Sequence, residues 1–313
     1  MTLRWSALGP DCVQQWAELT NLLATVDDTG EFYGPEDLAE ELEAPGVEPA
    51  KDTWAVWDGA DLVAYGQLRA ATSLLDGRVK VHLGGGVHPD HRGRGIGREL
   101  MARMEHRAVA GAAERFPGAP TLLQTSGGQA GASVRPLLEH RGYAIARYFH
   151  EMERAFPGAA VLEPAAAVEP YRDELSEATR LAHNDAFSTH WGSTPRDEEN
   201  WRDMMSSRTF RPNESFVHVA ADGRVLAYVL CYQWMDGELY VGQVGTRQDS
   251  RGRGLARATL AACLRAAAEH GYRSADLGVD SVNPTGATAL YESMGFEVTR
   301  TFATYTRVLD PAG

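Results

Sequence analysis

Cysteine is scarce in this chain: among 313 residues there are three, Cys12, Cys231 and Cys263, far apart and never in C-x-x-C spacing. That excludes a disulfide framework and a clustered zinc site. Cys231 in a strand-like run and Cys263 on a helical pattern read instead as small buried hydrophobes. Long apolar runs are missing too. The N-terminal stretch has no apolar segment after its single Arg4, and no later run approaches about 18 apolar residues, so neither a membrane span nor a secretory leader is expected and the chain reads as cytoplasmic. Basic blocks are equally absent. With 30 Lys and Arg against 43 Asp and Glu, the net charge is −13, and the basic face that nucleic acid would need is not there. An acidic surface keeps a protein soluble and also suits a cationic small-molecule partner.

What is present is ordinary globular composition, 43% hydrophobic and 23% charged, in a chain long enough for about two domains. The order of elements repeats. In the first half, helical spacing over Asp11 to Val26 (Asp11 as N-cap) and Pro35 to Glu43 precedes strands at Thr53 to Trp57, Leu62 to Ala70 and Val79 to Val87. The triplet Gly84, Gly85, Gly86 inside the last strand predicts a bulge or a close backbone approach. A turn, Arg92-Gly93-Arg94-Gly95-Ile96-Gly97, then opens a helix, followed by a strand at Thr121 to Thr125, a helical stretch near Ser133 to His140 and a strand from Tyr143 to Arg154. Pro157 to Pro170, rich in Ala, Pro and Gly without periodicity, reads as a linker. Beyond it come helices at Asp173 to Phe187 and Pro195 to Ser206, three strands ending near Thr246, the turn Arg251-Gly252-Arg253-Gly254-Leu255-Ala256, a helix from Arg253 to His270 closed by Gly271, a strand at Ser274 to Asp280, a helix at Thr285 to Ser293 and a strand from Phe296 to Val308. Arg92 registers on Arg251 and Gly142 on Gly295 at a nearly constant offset, which means duplication. The fold class is therefore α/β with two units, 1–156 and 171–313, joined by 157–170, each a mixed and mostly antiparallel sheet flanked by helices.

A strand, a glycine-rich turn and a helix in that order aim unpaired helix N–H groups at whatever lies across the turn, which makes an anion site. The second copy continues as Asn283-Pro284-Thr285-Gly286-Ala287-Thr288-Ala289-Leu290-Tyr291-Glu292-Ser293-Met294-Gly295-Phe296. Arg-x-x-Gly-x-Gly/Ala followed by Asn-x-x-Ala-x-x-Leu-Tyr-x-x-x-Gly-Phe resembles the GCN5-related N-acetyltransferase (GNAT) superfamily, and two such units resemble its tandem, mycothiol synthase-type members.

The resemblance implies acetyl-CoA as cosubstrate, no metal, and a small-molecule amine as acceptor for a monomer or homodimer. It places the CoA pyrophosphate on Arg251 to Ala256, with Thr246 ending the strand before it, and gives the corresponding positions Val87 and Arg92 to Gly97 to the first unit. Tyr291 falls on the tyrosine that protonates the departing thiolate; packing on an amphipathic helix is its competing role. Asn283 falls on the asparagine that meets the pantetheine arm or caps the helix. The family's acidic base on the strand before the turn falls here on Tyr240, so Glu238, two residues earlier on the same strand face, is the substitute. His183, His190 and Trp191 lie where the family shapes its acceptor pocket; packing and capping are their competing roles. In the first unit Leu138 stands where Tyr291 does and Ala130 where Asn283 does, so that unit is expected to bind CoA or act as scaffold while the second does the chemistry. A non-catalytic acyl-CoA-binding regulator would use the same turns. A dinucleotide enzyme would not, because neither turn has the Gly-x-Gly-x-x-Gly spacing after a first strand.

Overall fold

A computed structural model describes residues 3–156, 166–283 and 285–311. In the first half, β1 (Arg4–Ser6) leads through a 3-10 turn, Pro10–Cys12, into α1 (Val13–Val26). Asp11 lies inside that turn and Cys12 takes the N-cap place, because proline at the turn's first position starts the coil early. Next come α2 (Pro35–Glu43), the single turn α3 (Pro49–Asp52), β2 (Thr53–Asp58), β3 (Asp61–Leu75) and β4 (Arg78–Val87). They are followed by α4 (Ile96–Arg115), β5 (Thr121–Ser126), α5 (Arg135–His140) and β6 (Ala144–Ala155). The second half runs β7 (Glu169–Pro170), α6 (Ser176–Ala186), α7 (Glu198–Ser206), β8 (Phe216–Val219), β9 (Val225–Tyr232), β10 (Glu238–Thr246), α8 (Leu255–Glu269), β11 (Ser274–Asp280), α9 (Ala287–Ser293) and β12 (Glu297–Leu309). Of the expected linker, 157–165 lies outside the described residues, and its end, Glu169–Pro170, is strand β7.

Two compact units form, but not at the linker. Unit 1 is Met1–Tyr148 with Thr301–Gly313, and unit 2 is Phe149–Arg300. In unit 1 the strands follow the order β1-β2-β3-β4-β5-β12, all antiparallel except β4 with β5. In unit 2 the order is β7-β8-β9-β10-β11-β6, all antiparallel except β10 with β11. Each sheet's last strand thus comes from the other half of the chain. Boundaries at 156 and 171 assume that each copy keeps its own final strand; β6 instead pairs with β11 (Arg154 opposite Ala275) and β12 with β5 (Thr304 opposite Ser126). Duplicated edges offer the same pairing pattern, so nothing in the strand sequences distinguishes one edge from the other.

Each sheet buries a core on both faces. In unit 1, Val81, Leu83 and Leu123 pack under Leu100, Met104 and Leu138, while Ala55 and Trp57 meet Trp16, Leu23 and Leu38 on the other side. In unit 2, Val229, Leu239 and Leu277 pack under Leu260 and Leu264, while Tyr228, Leu230 and Tyr232 meet Ala182 and Trp201. Cys231 and Cys263 join the first of these clusters and lie with sulfurs 3.3 Å apart as free thiols, a proximity their sequence spacing hid.

Candidate active site

The two glycine turns are built alike. Gly93 and Gly95 have φ of 75° and 85°, Gly252 and Gly254 of 73° and 74°, a left-handed conformation that side chains with a Cβ resist. A Cβ on Gly252 or Gly254 would meet nothing within 4 Å, so the turn faces open space. Helices α4 and α8 start at Ile96 and Leu255, later than the sequence pattern places α8, with Gly95 and Gly254 as N-caps that carry no side-chain cap. The first helical bonds run from Glu99 N to Gly95 O (3.1 Å) and from Ala258 N to Gly254 O (3.0 Å). The N–H groups of Leu255, Ala256 and Arg257, and of Ile96, Gly97 and Arg98, precede those bonds and make the positive end of the helix dipole. Ile96 and Leu255 are buried and anchor the helix starts.

The arginines divide. Arg251 donates to Ala186 O (2.8 Å) at the end of α6, where its charge meets the negative pole of that helix. Arg92 forms a two-pronged pair with Asp27 (2.9 and 2.6 Å) just after α1. Both brace the turn on a helix end. Arg253 and Arg94 are exposed at the turns, Arg94 within 3.5 Å of His91.

Beside each glycine turn lies an opening in the sheet. Strands β10 and β11 pair only from Glu238/Ser274 to Tyr240/Asp276, and β4 and β5 only from Val79/Thr121 to Leu83/Thr125, although all four strands continue. Beyond those rungs the facing backbone groups of the parallel pair are not joined to each other, which suits the amides of a pantetheine arm laid between the strands as an extra strand is. Val87 and Thr246 end the two long strands. The Thr246 hydroxyl is buried without a partner among the described residues, a polar atom that a ligand beside the turn can satisfy. The residues fit an acyl-CoA.

Tyr291 stands on α9 with the ring packed edge-on against Phe296 at 6.0 Å. Its residue is 8% exposed, and burial pushes the phenol up to about 12. At neutral pH it holds its proton. Asn283 Oδ1 accepts from the N–H and hydroxyl of Thr285 (2.9 and 2.7 Å), so it shapes the turn before α9, whose N-cap is Gly286.

Glu238 begins β10, at the opposite end from Thr246 and roughly 25 Å from it at the usual rise of a strand. Half-exposed, it lies 3.9 Å from Arg273. The structure does not bring it to the glycine turn. It does bring it near Asp276, which sequence reasoning missed. Asp276 is Tyr240's partner on the last paired rung, and burial together with Glu153, Glu238 and Glu151 raises its carboxyl to about 7. The signal was the alternation Ser274, Asp276, Gly278, Asp280, a polar face on a strand whose other face is Ala275, Leu277 and Val279.

His183 lies buried on α6 with Nδ1 2.7 Å from the Tyr228 hydroxyl and its ring stacked on Phe187 at 4.7 Å. Burial holds it neutral down to about 4. Tyr228 fits because Gly245 opposite it has no side chain: a Cβ there would sit 2.4 Å from the ring. His190 and Trp191 lie just beyond, with Trp191 6.4 Å from Phe149.

Unit 1 holds a cavity of about 1170 Å³ that reaches from Arg92 to Gly97 past Gly84 to Gly86 and on to Tyr65 and Trp16. The three glycines pair regularly with β3 and form no bulge; a Cβ on Gly86 would lie 2.3 Å from Leu23 and one on Gly85 2.6 Å from Tyr65 O, which makes close approach the reason for them. Among the described residues no group of three or more His, Cys, Asp or Glu could hold a metal ion, and no helix is long and apolar enough to cross a membrane.

These turns, splayed strands and the α9 tyrosine define a class, and comparison with known proteins identifies it. The acetyltransferase (GNAT) family model matches residues 16–120 and 176–296. The chain belongs to the GNAT family of acyltransferases, as a tandem protein with two copies of the fold. It is 27% identical over 308 residues to a mycothiol acetyltransferase of Streptomyces coelicolor, covering 92% of each chain. It is 34% identical over 230 residues to that of Kineococcus radiotolerans, covering 70% of each. Among solved structures it resembles a GCN5-related N-acetyltransferase from Sphaerobacter thermophilus (TM-score 0.79, 23% identity, 99% of this chain and 97% of that one). It also resembles a tandem GNAT protein from the clavulanic acid biosynthesis pathway (TM-score 0.70, 17% identity, 100% of both), which likewise supports the fold.

Proposed function

We propose that the chain transfers the acetyl group of acetyl-CoA to a primary amine of a small molecule, directly within a ternary complex, and that unit 2 performs the chemistry. The observation that carries this reading is Tyr291, a buried phenol that keeps its proton, on the helix that follows the open β10 and β11 pair. The N–H groups of Leu255, Ala256 and Arg257, at a turn kept open by Gly252 and Gly254, hold the pyrophosphate, with Arg253 nearby in charge. The pantetheine arm lies along β10 toward Thr246, with Asn283 shaping the loop beside it.

The amine nitrogen attacks the thioester carbonyl carbon. The C–N bond forms, the tetrahedral intermediate collapses with cleavage of C–S, the sulfur takes its proton from Tyr291, and the nitrogen's surplus proton passes, directly or through water, to the Tyr291 phenolate and restores it. The amine must first be neutral. Asp276, near its midpoint at pH 7, takes that proton directly or through water, and Glu238 acts by keeping the Asp276 pKa high. In unit 1 the turn is intact and Leu138 replaces the tyrosine, so unit 1 binds CoA or an acyl-CoA without turning it over.

A second reading, mycothiol synthase proper, is favoured by the names of the curated relatives over nearly the whole chain. One experiment separates these readings: an acceptor screen with purified protein and acetyl-CoA, following free CoA. Acetylation confined to the mycothiol precursor selects the second reading; acetylation of other small amines selects the broader one; no CoA release with any amine removes both.

A further inference from the structure

The cavity of unit 1 does not end where a pantetheine arm would. From the uncapped start of α4 it runs beside the open stretch of β4 beyond Leu83, and it continues across the sheet to Tyr65, Leu38 and Trp16. Its volume of about 1170 Å³ is more than a phosphate turn and a strand gap need.

The walls change character along that path. Where unit 2 has the Tyr291 phenol, unit 1 has Leu138, which is buried beside Leu100 and Met104 of α4, and all three line the cavity. The space just past the place of a thioester is therefore apolar. An acetyl group is too short to cover it, whereas a longer alkyl chain removes that surface from water together with its own. Tyr65 comes next, its phenol pushed up to about 12 by burial and so uncharged at neutral pH. The path closes on Trp16, whose ring lies 5.8 Å from that of Tyr65. Trp16 is fully buried, and its indole N–H has no acceptor among the described residues. A buried donor calls for an oxygen. Glu31 and Glu41 line the same end, and burial, followed by the charge of Glu41, raises the Glu31 carboxyl. A third carboxylate brought there by a ligand would be repelled.

We infer that unit 1 binds the CoA thioester of an uncharged medium-chain acyl group that carries a hydroxyl or keto oxygen at its far end, with the chain along Leu138, Leu100 and Met104 and the oxygen accepting from Trp16 Nε1. The inference rests on the reading of unit 1 as a CoA-binding unit and adds which acyl group that unit takes. A chain of this kind answers the apolar stretch and the indole N–H in the order in which the cavity presents them. Unit 2 keeps its own acetyl transfer.

The test is calorimetry on the full chain carrying Gly254→Glu, which confines CoA binding to unit 1, with acetyl-CoA, hexanoyl-CoA, ω-hydroxyhexanoyl-CoA and adipoyl-CoA as probes. Hexanoyl-CoA should bind about tenfold or more tighter than acetyl-CoA, because each buried methylene is worth about threefold. The ω-hydroxyl should add about fivefold, and adipoyl-CoA, of the same length with a terminal carboxylate, should bind more weakly than hexanoyl-CoA. Trp16→Phe keeps an aromatic ring and removes the N–H, so it should abolish the gain from the hydroxyl and leave the gain from the chain. Hexanoyl-CoA no tighter than acetyl-CoA, a hydroxyl that adds nothing, a hydroxyl gain that survives Trp16→Phe, or adipoyl-CoA as tight as hexanoyl-CoA overturns the inference while the CoA reading of unit 1 stands. Binding of none of the four probes overturns both.

Discussion

Tyr291 and Leu138 occupy the same place in two copies of one turn. The Phe296 N–H donates to Tyr291 O at 3.1 Å and the Tyr143 N–H to Leu138 O at 3.0 Å, while Gly295 and Gly142 each donate at 3.0 Å to the residue three before. The backbone is the same and the side chain differs by a phenol. Both helices carry the residue on a buried face, Tyr291 at 8% and Leu138 at 0% exposure, so duplication kept the packing role in both copies and the ionisable group in one.

That difference leads to a stoichiometry. Because both phosphate turns keep their glycines and uncapped helix starts, calorimetry should find two CoA molecules per chain. Gly254→Glu puts an anion against the phosphates and should remove one; Gly95→Glu should remove the other. A single site, or a second one untouched by Gly95→Glu, contradicts the proposed unit 1 site.

Asp276 should set the rising limb of the pH profile. A carboxyl near 7 becomes the basic form as pH climbs, so kcat/KM should increase through about pH 7. Asp276→Asn should lower the rate about 10²-fold or more and flatten that limb. Glu238→Gln removes a neighbouring negative charge, which lowers the Asp276 pKa and should move the limb to lower pH with smaller loss of rate. The reverse ranking would make Glu238 the base.

His183 should make unit 2 acid-sensitive. In the unfolded chain a histidine titrates near 6.5, whereas in the fold burial lowers this one to about 4. Between those values the unfolded state binds more protons, so stability falls as pH drops from about 6.5 toward 4. His183→Gln should flatten the decline in urea midpoint over that window. His82, lowered in the same direction, leaves a residual slope.

Cys231 and Cys263 should be silent toward thiol reagents in the native protein. Burial, with each sulfur beside the other, raises Cys231 well above its ordinary value, and the thiolate is the reactive form. Both should react only on unfolding, and rapid labelling of either under native conditions would show that β9 and α8 open locally.

The repeated order of elements was legible because helical and alternating apolar spacing survive duplication, and the glycine turns because φ near 75° leaves little choice of residue. Tyr291 and Asn283 were legible through a motif contiguous in sequence. Asp276 was not, since its raised pKa comes first from burial in the fold and then from nearby carboxylates, two of which, Glu153 and Glu151, stand on β6, a strand contributed by the other half of the chain. The exchange of β6 and β12 was hidden for a related reason: pairing partners of equal pattern cannot be chosen from a strand's own residues. Trp16 reads as part of the apolar face of the first helix, and only the structure shows that its buried indole N–H has no partner among the described residues.

The most direct test of the account is single-turnover acetyl transfer by Tyr291→Phe with an accepted amine. Phenylalanine keeps the ring against Phe296 and removes only the proton. The account predicts a chemical step slowed by about 10²–10⁴-fold with acetyl-CoA affinity little changed. A Tyr291→Phe enzyme whose chemical step runs at the parent rate would contradict it, leaving the hydroxyl a packing group and the departing thiolate without the donor proposed here.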